Sequence, residues 1–182
     1  MDYVIRRART RDVRAVRALI DAHVASGRLL DKATVTLYED VQEFWVACTP
    51  APDSQVIGCG ALHVMWEDLA EIRTIAVAQA HQGYGAGHQL VTALLTVARE
   101  LGVHRVFVLT FAVEFFARHG FEKMSGQAAS PEVYAELLRS YDEGVAEFLD
   151  LDQVKPNTLG NTRMLCRLPP QEERDARPAA VP

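Results

Sequence analysis

A glycine-rich stretch at residues 77–90 carries the residues best suited to chemistry. Gly83, Gly85 and Gly87 separate a strand-like run from a run of apolar residues at helical spacing. Glycines let the backbone turn tightly and aim several N–H groups at one anion, and the N-terminus of the following helix adds partial positive charge. The stretch is therefore predicted to bind a diphosphate, although a plain tight turn into a helix is an alternative that the glycines alone leave open.

Two common nucleotide-binding motifs do not fit this stretch. A P-loop needs lysine and then serine or threonine after its last glycine, but His88 and Gln89 follow Gly87. The dinucleotide motif G-x-G-x-x-G fails because the third glycine comes one residue early. The pattern Gln-x-x-Gly-x-Gly, at Gln82, Gly85 and Gly87, instead resembles the acetyl-CoA loop of the GNAT (Gcn5-related) N-acetyltransferases.

The resemblance implies a fold and a cofactor. It implies the α/β (α+β) GNAT acyl-CoA N-acyltransferase fold, with a mixed central sheet flanked by helices, and acetyl-CoA as co-substrate without a metal. In the family, loop amides bind the CoA pyrophosphate and the preceding strand pairs with the pantetheine arm. The cofactor-binding positions expected here are Ile75, Ala76, Val77, Gln82, Gly83, Tyr84, Gly85, Ala86, Gly87 and His88.

Acetyl transfer to an amine needs a base, an oxyanion donor and help for the leaving thiolate. Glu71 is the best-placed carboxylate, because it lies six residues before Val77 and points to the same side if the strand is regular. A solvated edge glutamate is the alternative. The oxyanion donor is expected to be a backbone N–H within residues 75–77, since a splayed strand leaves amides unpaired.

The acid that protonates the thiolate is harder to find. Many GNAT enzymes have a tyrosine where this chain has Phe116, so Phe115 and Phe116 are predicted to be core residues. Thr110, at the end of the neighbouring strand, is the nearest hydroxyl. A cap for the following helix is the alternative role for this threonine.

A second tract is similar to the acetyltransferase domain of N-acetylglutamate synthases. Residues 106–110 and 114–121 match that family's Phe-Val-Leu-Thr-Thr and Trp-Phe-x-x-x-Gly-Phe patterns. The resemblance supports Glu71 as base and Thr110 as acid, and it implies L-glutamate or a similar small amino acid as acceptor. The chain lacks the kinase-like domain that carries arginine feedback in longer enzymes, so arginine is carried only as a candidate regulator and a homodimer as a candidate assembly.

A glutamate site needs paired cationic donors, preferably arginine. Arg73 is the first choice because it shares the predicted strand face with Glu71, Ile75 and Val77. Any one of these cations could simply be a charged residue on the protein surface. Three of them converging on one site would not be expected by chance. The candidate substrate-binding residues are Lys32, Arg73, Lys155, Asn161 and Arg163.

Composition sets broader limits. A chain of 182 residues with 49% hydrophobic content predicts one globular domain, residues 1–168, with a disordered tail at residues 169–182. The net charge of −5 argues against nucleic acid as a partner. The absence of a membrane-length apolar stretch or a secretory segment predicts a cytoplasmic protein. Cys48, Cys59 and Cys166 are predicted to be reduced, buried thiols.

The elements that must position these residues can be read from periodicity. The order predicted is strand, two helices, three strands, the helix after the glycine loop, a strand, a short helix and a strand, then a helix and a last strand.

Two other functions stay open. One is a GNAT enzyme for an unrelated amine, such as a polyamine, a drug or a protein N-terminus, and the other is a non-catalytic CoA or amino-acid sensor.

Overall fold

One mixed sheet of seven strands forms the centre of the protein. A computed structural model describes residues 3–24, 29, 31–125, 129–139 and 160–169, so Lys155 and nearly all of the predicted tail lie outside the described residues. The strands are β1 (Val4–Arg7), β2 (Phe44–Cys48), β3 (Val56–Trp66), β4 (Leu69–Val77), β5 (Arg105–Thr110), β6 (Glu122–Lys123) and β7 (Thr162–Arg167). Their spatial order is β1-β2-β3-β4-β5-β7-β6, and β4 with β5 is the parallel pair among antiparallel neighbours.

Helices cover both faces of this sheet. They are α1 (Val13–Val24), α2 (Thr34–Glu39), α3 (Ala86–Glu100), α4 (Val113–Ala117) and α5 (Pro131–Leu137). Helices α3 and α4 pack on one side, called here the α3 face, whereas α1, α2 and α5 pack on the other, called the α1 face. The predicted α/β fold with a mixed sheet between helices is confirmed. No helix in the described part of the chain is long and apolar enough to cross a membrane.

The main crossover explains why the glycine loop sits where it does. Helix α3 connects the parallel strands β4 and β5, and its Leu90, Val91 and Leu94 are fully buried against the sheet. Each such side chain contributes about 1.5–3 kcal/mol when it leaves water. This packing holds the N-terminus of α3, and the loop before it, at the end of β4.

Strands β4 and β5 separate after only three paired positions. The last pair is Glu71 with Phe107, whereas β4 stays paired with β3 as far as Val77, and β5 stays paired with β7 as far as Thr110. The sheet therefore divides into two intact halves with a wedge between them. We call this opening the wedge.

A bulge in β4 accompanies the separation. Cys59 pairs with Ala76 but Ala61 pairs with Arg73, so Thr74 and Ile75 together lie opposite the single residue between Cys59 and Ala61. Thr74 has φ 61°, which is unusual for a β-branched residue. The extra residue reverses the side-chain alternation of the strand from this point.

The predicted shared face of Glu71, Arg73, Ile75 and Val77 is therefore wrong beyond Arg73. Ile75 and Val77 pack with residues of the α3 face, while Ala76 packs on the α1 face. The physical reason is the bulge, because period-2 alternation holds only along an uninterrupted strand.

Gly60, opposite the bulge, makes room for it. A Cβ at this position would collide with Cδ1 of Ile75 and lie 3.2 Å from Cδ1 of Leu94. Gly58 is similarly tight, since its Cβ would lie 3.2 Å from the carbonyl oxygen of Ala76. The lack of a side chain at both positions therefore lets neighbouring groups approach the β3 backbone closely.

Gly60→Ala is expected to lower the free energy of unfolding by about 1–3 kcal/mol through overpacking. Ile75→Val, which removes the colliding Cδ1 atom, costs about 0.5–1.5 kcal/mol on its own. In the double variant one methyl group is added at Gly60 and one is removed from Ile75, so the collision is relieved. Its loss in free energy of unfolding should therefore be smaller, by at least about 0.5 kcal/mol, than the summed losses of the two single variants. Urea unfolding of the four proteins measures this coupling, and strictly additive losses would contradict the contact.

Candidate active site

The wedge exposes backbone groups of β4 on the side that faces β5. The N–H of Ala78 donates to the carbonyl oxygen of Ile57, at 2.8 Å, so it points toward β3. Because amide directions alternate along a strand, the N–H of Val77 points the other way, into the wedge. A main-chain donor of this kind suits a developing oxyanion.

The glycine loop presents further amides at the mouth of the wedge. Gly83 and Gly85 have φ of 82° and 92°, which glycine adopts without the steric cost of a Cβ. Gly85 is the N-cap of α3, and the first helical hydrogen bond runs from Gln89 N–H to its carbonyl oxygen. The amides of the three residues between them have no acceptor within the helix. The loop thus has the geometry of an anion site.

Side chains around the loop tie it to the rest of the fold. Gln82 donates from Nε2 to the carbonyl oxygen of Val77, at 3.0 Å. A Cβ on Gly87 would lie 3.4 Å from the Phe115 ring, so this glycine lets α4 pack against the start of α3. These contacts connect the loop to both β4 and α4.

His88 belongs to this packing as well as to the loop. Its Nδ1 lies 2.8 Å from Nε2 of His119, and both rings contact Phe115. Burial, reinforced by the neighbouring His88, lowers the pKa of His119 below the ordinary histidine value. The ring of His88 is thereby engaged with His119, whereas its amide remains at the helix N-terminus.

Glu71 and Arg73 form a buried ion pair on the α1 face. The two residues are only 5% and 8% exposed, and Arg73 Nε lies 3.4 Å from Glu71 Oε2. The alternative of a solvated edge glutamate is therefore wrong. The opposite charges of the two side chains partly offset the cost of burying each of them.

Arg163 reaches the same face from β7. Its Cζ lies 5.9 Å from the centre of the Phe107 ring, and Phe107 is the β5 residue in register with Glu71. Leu69 with α5 closes one end of this area and Ala61 with α1 closes the other. The structure thus places Glu71, Arg73 and Arg163 on one face of the sheet, with apolar clusters at either end.

The other predicted substrate residues are less sharply placed. Lys32 precedes α2, and its carbonyl oxygen accepts a hydrogen bond from Arg17. Asn161 immediately precedes β7. Of the five predicted substrate-binding residues, the structure brings Arg73 and Arg163 to one face, and Lys155 is outside the described residues.

Thr110 lies on the opposite side of the sheet from Glu71. It continues the alternation of Val106 and Val108, which pack on the α3 face, and it is 7% exposed. Its Oγ1 accepts a hydrogen bond from the N–H of Ala112, the N-cap of α4, at 2.9 Å. This bond closes a turn at the end of β5 and does not cap α4, because Ala112 is the N-cap and no side chain caps the helix. It uses an oxygen lone pair of Thr110, so the hydroxyl hydrogen is still available for donation.

One pair of polar residues beside Glu71 escaped the sequence analysis. His63 is the β3 partner of Glu71 in the antiparallel register, and its Nδ1 lies 2.7 Å from Oε1 of Glu43. Only the register of β3 against β4 reveals this neighbourhood. The period-2 pattern of β3, once aligned, was the one signal available in the sequence.

The remaining candidates for site chemistry are the three cysteines and metal-binding groups. Cys48, Cys59 and Cys166 are free and buried, as predicted. Desolvation raises the pKa of Cys59 to about 12, so its thiol is not a nucleophile near neutral pH. No group of three or more His, Cys, Asp or Glu side chains within the described ranges is placed to hold a metal.

The split sheet, the glycine loop and the helix behind it define an acetyl-CoA-dependent acetyltransferase. The chain belongs to the acetyltransferase (GNAT) family, whose model matches residues 23–121. It is 60% identical, over 162 residues, to an amino-acid acetyltransferase of Mycobacterium tuberculosis, an alignment that covers 89% of this chain and 92% of that protein. An amino-acid acetyltransferase of Neisseria meningitidis is 33% identical over 75% of this chain, which spans only 31% of that longer protein.

Solved structures agree with this assignment. A Mycobacterium tuberculosis protein in complex with CoA and NLQ superposes with a TM-score of 0.87 at 60% identity, over 91% of this chain and 99% of that one. The N-acetylglutamate synthase of Neisseria gonorrhoeae, complexed with coenzyme A and N-acetyl-glutamate, shares the fold, with a TM-score of 0.73 at 24% identity over 93% of this chain and 36% of that one. The family, the fold and acetyl-CoA as co-substrate are confirmed.

Proposed function

We propose that the protein acetylates the α-amino group of L-glutamate with acetyl-CoA, the reaction that opens arginine biosynthesis. The observation that carries the proposal is the buried pair of Glu71 and Arg73 beside the wedge, with Arg163 on the same face. A base and two cations match the amine and the two carboxylates of glutamate. The amino-acid acetyltransferases among the similar proteins support the same substrate class.

Acetyl-CoA is expected to enter from the α3 face. Its pyrophosphate would accept hydrogen bonds from loop amides at residues 83–88, and the thioester would lie in the wedge beside residues 75–77. The Val77 amide would then stabilise the oxyanion, and Thr110 would donate to the departing sulfur. Val77 ends β4 and Thr110 ends β5, and these are the two strands that border the wedge.

Glu71 is proposed as the base on the other side of the acyl group. It takes a proton from the amine, whose nitrogen attacks the thioester carbonyl directly. The C–N bond forms, the tetrahedral intermediate collapses, the C–S bond breaks, and the thiolate leaves as CoA. No metal and no covalent enzyme intermediate take part in this scheme.

The two arginines are assigned to different carboxylates. Arg73 adjoins the base, so it suits the α-carboxylate, which is one carbon from the reacting amine. Arg163 is two strands away and suits the side-chain carboxylate, with Lys32, Lys155 and Asn161 as further candidates. Glutamine offers no second charge, so Arg163 would favour glutamate over it.

Two other functions are kept as alternatives. An enzyme for a polyamine or another cationic amine would need an acidic pocket, which two arginines disfavour. A non-catalytic CoA or amino-acid sensor is favoured by Phe116, which is buried where many family members have a tyrosine. We expect a cytoplasmic protein, with arginine as a candidate regulator and a homodimer as a candidate assembly.

Thiol release from acetyl-CoA, measured against every common amino acid, a polyamine and a peptide N-terminus, tests the proposal. L-Glutamate should be the fastest acceptor. Glu71→Gln should then lower kcat by about 10²–10⁴-fold, because the amide cannot accept the proton, and leave acetyl-CoA affinity unchanged. Glu100→Gln, at an exposed position late in α3, is the matched control and should keep full activity. Turnover of the polyamine alone, or tight acetyl-CoA binding without turnover, would favour the alternatives.

Arg163→Gln should raise KM for glutamate by about 10–100-fold, since hydrogen bonds to a charged group are worth about 1.5–3 kcal/mol. The KM for glutamine should change much less, and the KM for acetyl-CoA should not change. Arg167→Gln is the control, because Arg167 is an exposed arginine on the same strand. An equal rise in KM for glutamate and for glutamine would show that Arg163 does not bind the side-chain carboxylate.

Gly85→Ala should weaken CoA binding at least about tenfold, or about 1.4 kcal/mol, because the backbone relaxes away from positive φ and turns the loop amides. Gly102→Ala is a matched control. Gly102 also has positive φ, 78°, and a Cβ at either position would meet nothing within 4 Å. Both variants should lose similar stability, about 1–2 kcal/mol, while calorimetry detects weaker CoA binding in Gly85→Ala alone. Equal CoA affinity in the two variants would remove the loop from the site.

A further inference from the structure

The His63–Glu43 pair lies at the solvent side of the buried base. His63 is directly opposite Glu71 across the antiparallel β3–β4 pair and has its side chain on the same face. Glu43, just before β2, holds the imidazole through the 2.7 Å contact between its Oε1 and Nδ1. The pair is outside the set of residues assigned above to acetyl-CoA and to the substrate.

The proton balance of acetyl transfer requires an outlet near Glu71. An amino acid arrives as an ammonium ion, whose nitrogen must lose two protons to become an amide. One of the two is matched by protonation of the CoA thiolate, so one net proton must reach solvent in each turnover. Glu71 is 5% exposed, so its carboxylate has little direct contact with bulk water.

We propose that His63, oriented by Glu43, relays this proton from Glu71 to solvent. The inference rests on the proposed function, because it needs Glu71 to act as the base. Residues directly opposite across antiparallel strands have Cβ atoms about 4.5–5.5 Å apart, a gap that the two side chains can close with one bridging water. An imidazole accepts and releases protons near neutral pH, which is what a relay needs.

The hydrogen bond to Glu43 selects the useful tautomer. An ionised carboxylate has only acceptor sites, so Nδ1 of His63 carries the hydrogen and donates it to Oε1. The other ring nitrogen, Nε2, is then an acceptor that can take the proton from the side of Glu71.

Exposure rises along the proposed path. The side chain of Glu71 is 6% exposed, that of His63 is 20% exposed and that of Glu43 is 25% exposed. Glu43 contacts the His63 ring directly, and Glu71 is the residue opposite His63 on β4.

His63→Gln is the central test, in full-length protein with acetyl-CoA and glutamate at low buffer concentration. The kcat should fall at least about tenfold, a modest share of the 10²–10⁴-fold usual for acid–base groups. KM for both substrates should stay within about twofold, and added imidazole should restore most of kcat. Glu43→Gln, which keeps an acceptor for Nδ1–H but removes the charge, should lower kcat in the same direction and should also respond to imidazole.

Controls separate the relay from structure and from the proposed function. His104→Gln changes an exposed histidine just before β5 and should behave as the parent protein. Glu71→Gln should be slow and unresponsive to imidazole. A His63→Gln protein that keeps full kcat at low buffer, or one that is slow but not restored by imidazole, overturns the relay while the glutamate activity stands. A parent protein that turns over no amino acid overturns both the relay and the proposed function.

Discussion

The separation of β4 from β5 is the constraint on which the rest of the site depends. Pairing stops at Glu71 and Phe107, and from there each strand keeps only its outer neighbour. Unpaired backbone groups inside a sheet are costly unless a ligand or water satisfies them. The fold therefore maintains a slot that an extended, hydrogen-bonding molecule can fill, and the pantetheine arm of CoA is such a molecule.

The bulge beside this slot strains the backbone of β4, and the burial of apolar side chains offsets that strain. Thr74 sits in the left-handed region, where a β-branched residue costs on the order of 1–2 kcal/mol. The bulge in turn places Ile75 over Gly60 and against the core of the α3 face. Burial of Ile75 and of the fully buried α3 residues is large enough to offset the strain. Gly60 thus leaves the space that the Ile75 side chain occupies, and Thr74 adopts the positive φ at the bulge in β4.

The sequence predicted those features that are set locally. The glycines indicated the loop before α3, and the apolar run of β5 indicated a strand. Both signals come from residues that are close together along the chain. The side on which Ile75 and Val77 lie was predicted wrongly, since a bulge leaves no mark in the alternation of β4 itself. The neighbourhood of His63, Glu43 and Glu71 was missed for a related reason. It depends on the register of two strands and on the 3₁₀ turn before β2, which are contacts between distant parts of the chain.

The two faces of the sheet divide the proposed chemistry between them. Thr110 lies on the α3 face, where the sulfur would leave, and Glu71 lies on the α1 face, where the amine would approach. Arg73 adds a further link, because the α-carboxylate of an arriving substrate would compete with Glu71 for the same guanidinium. In the proposed reaction, the proton that Glu71 takes from the amine must then leave along the path toward His63.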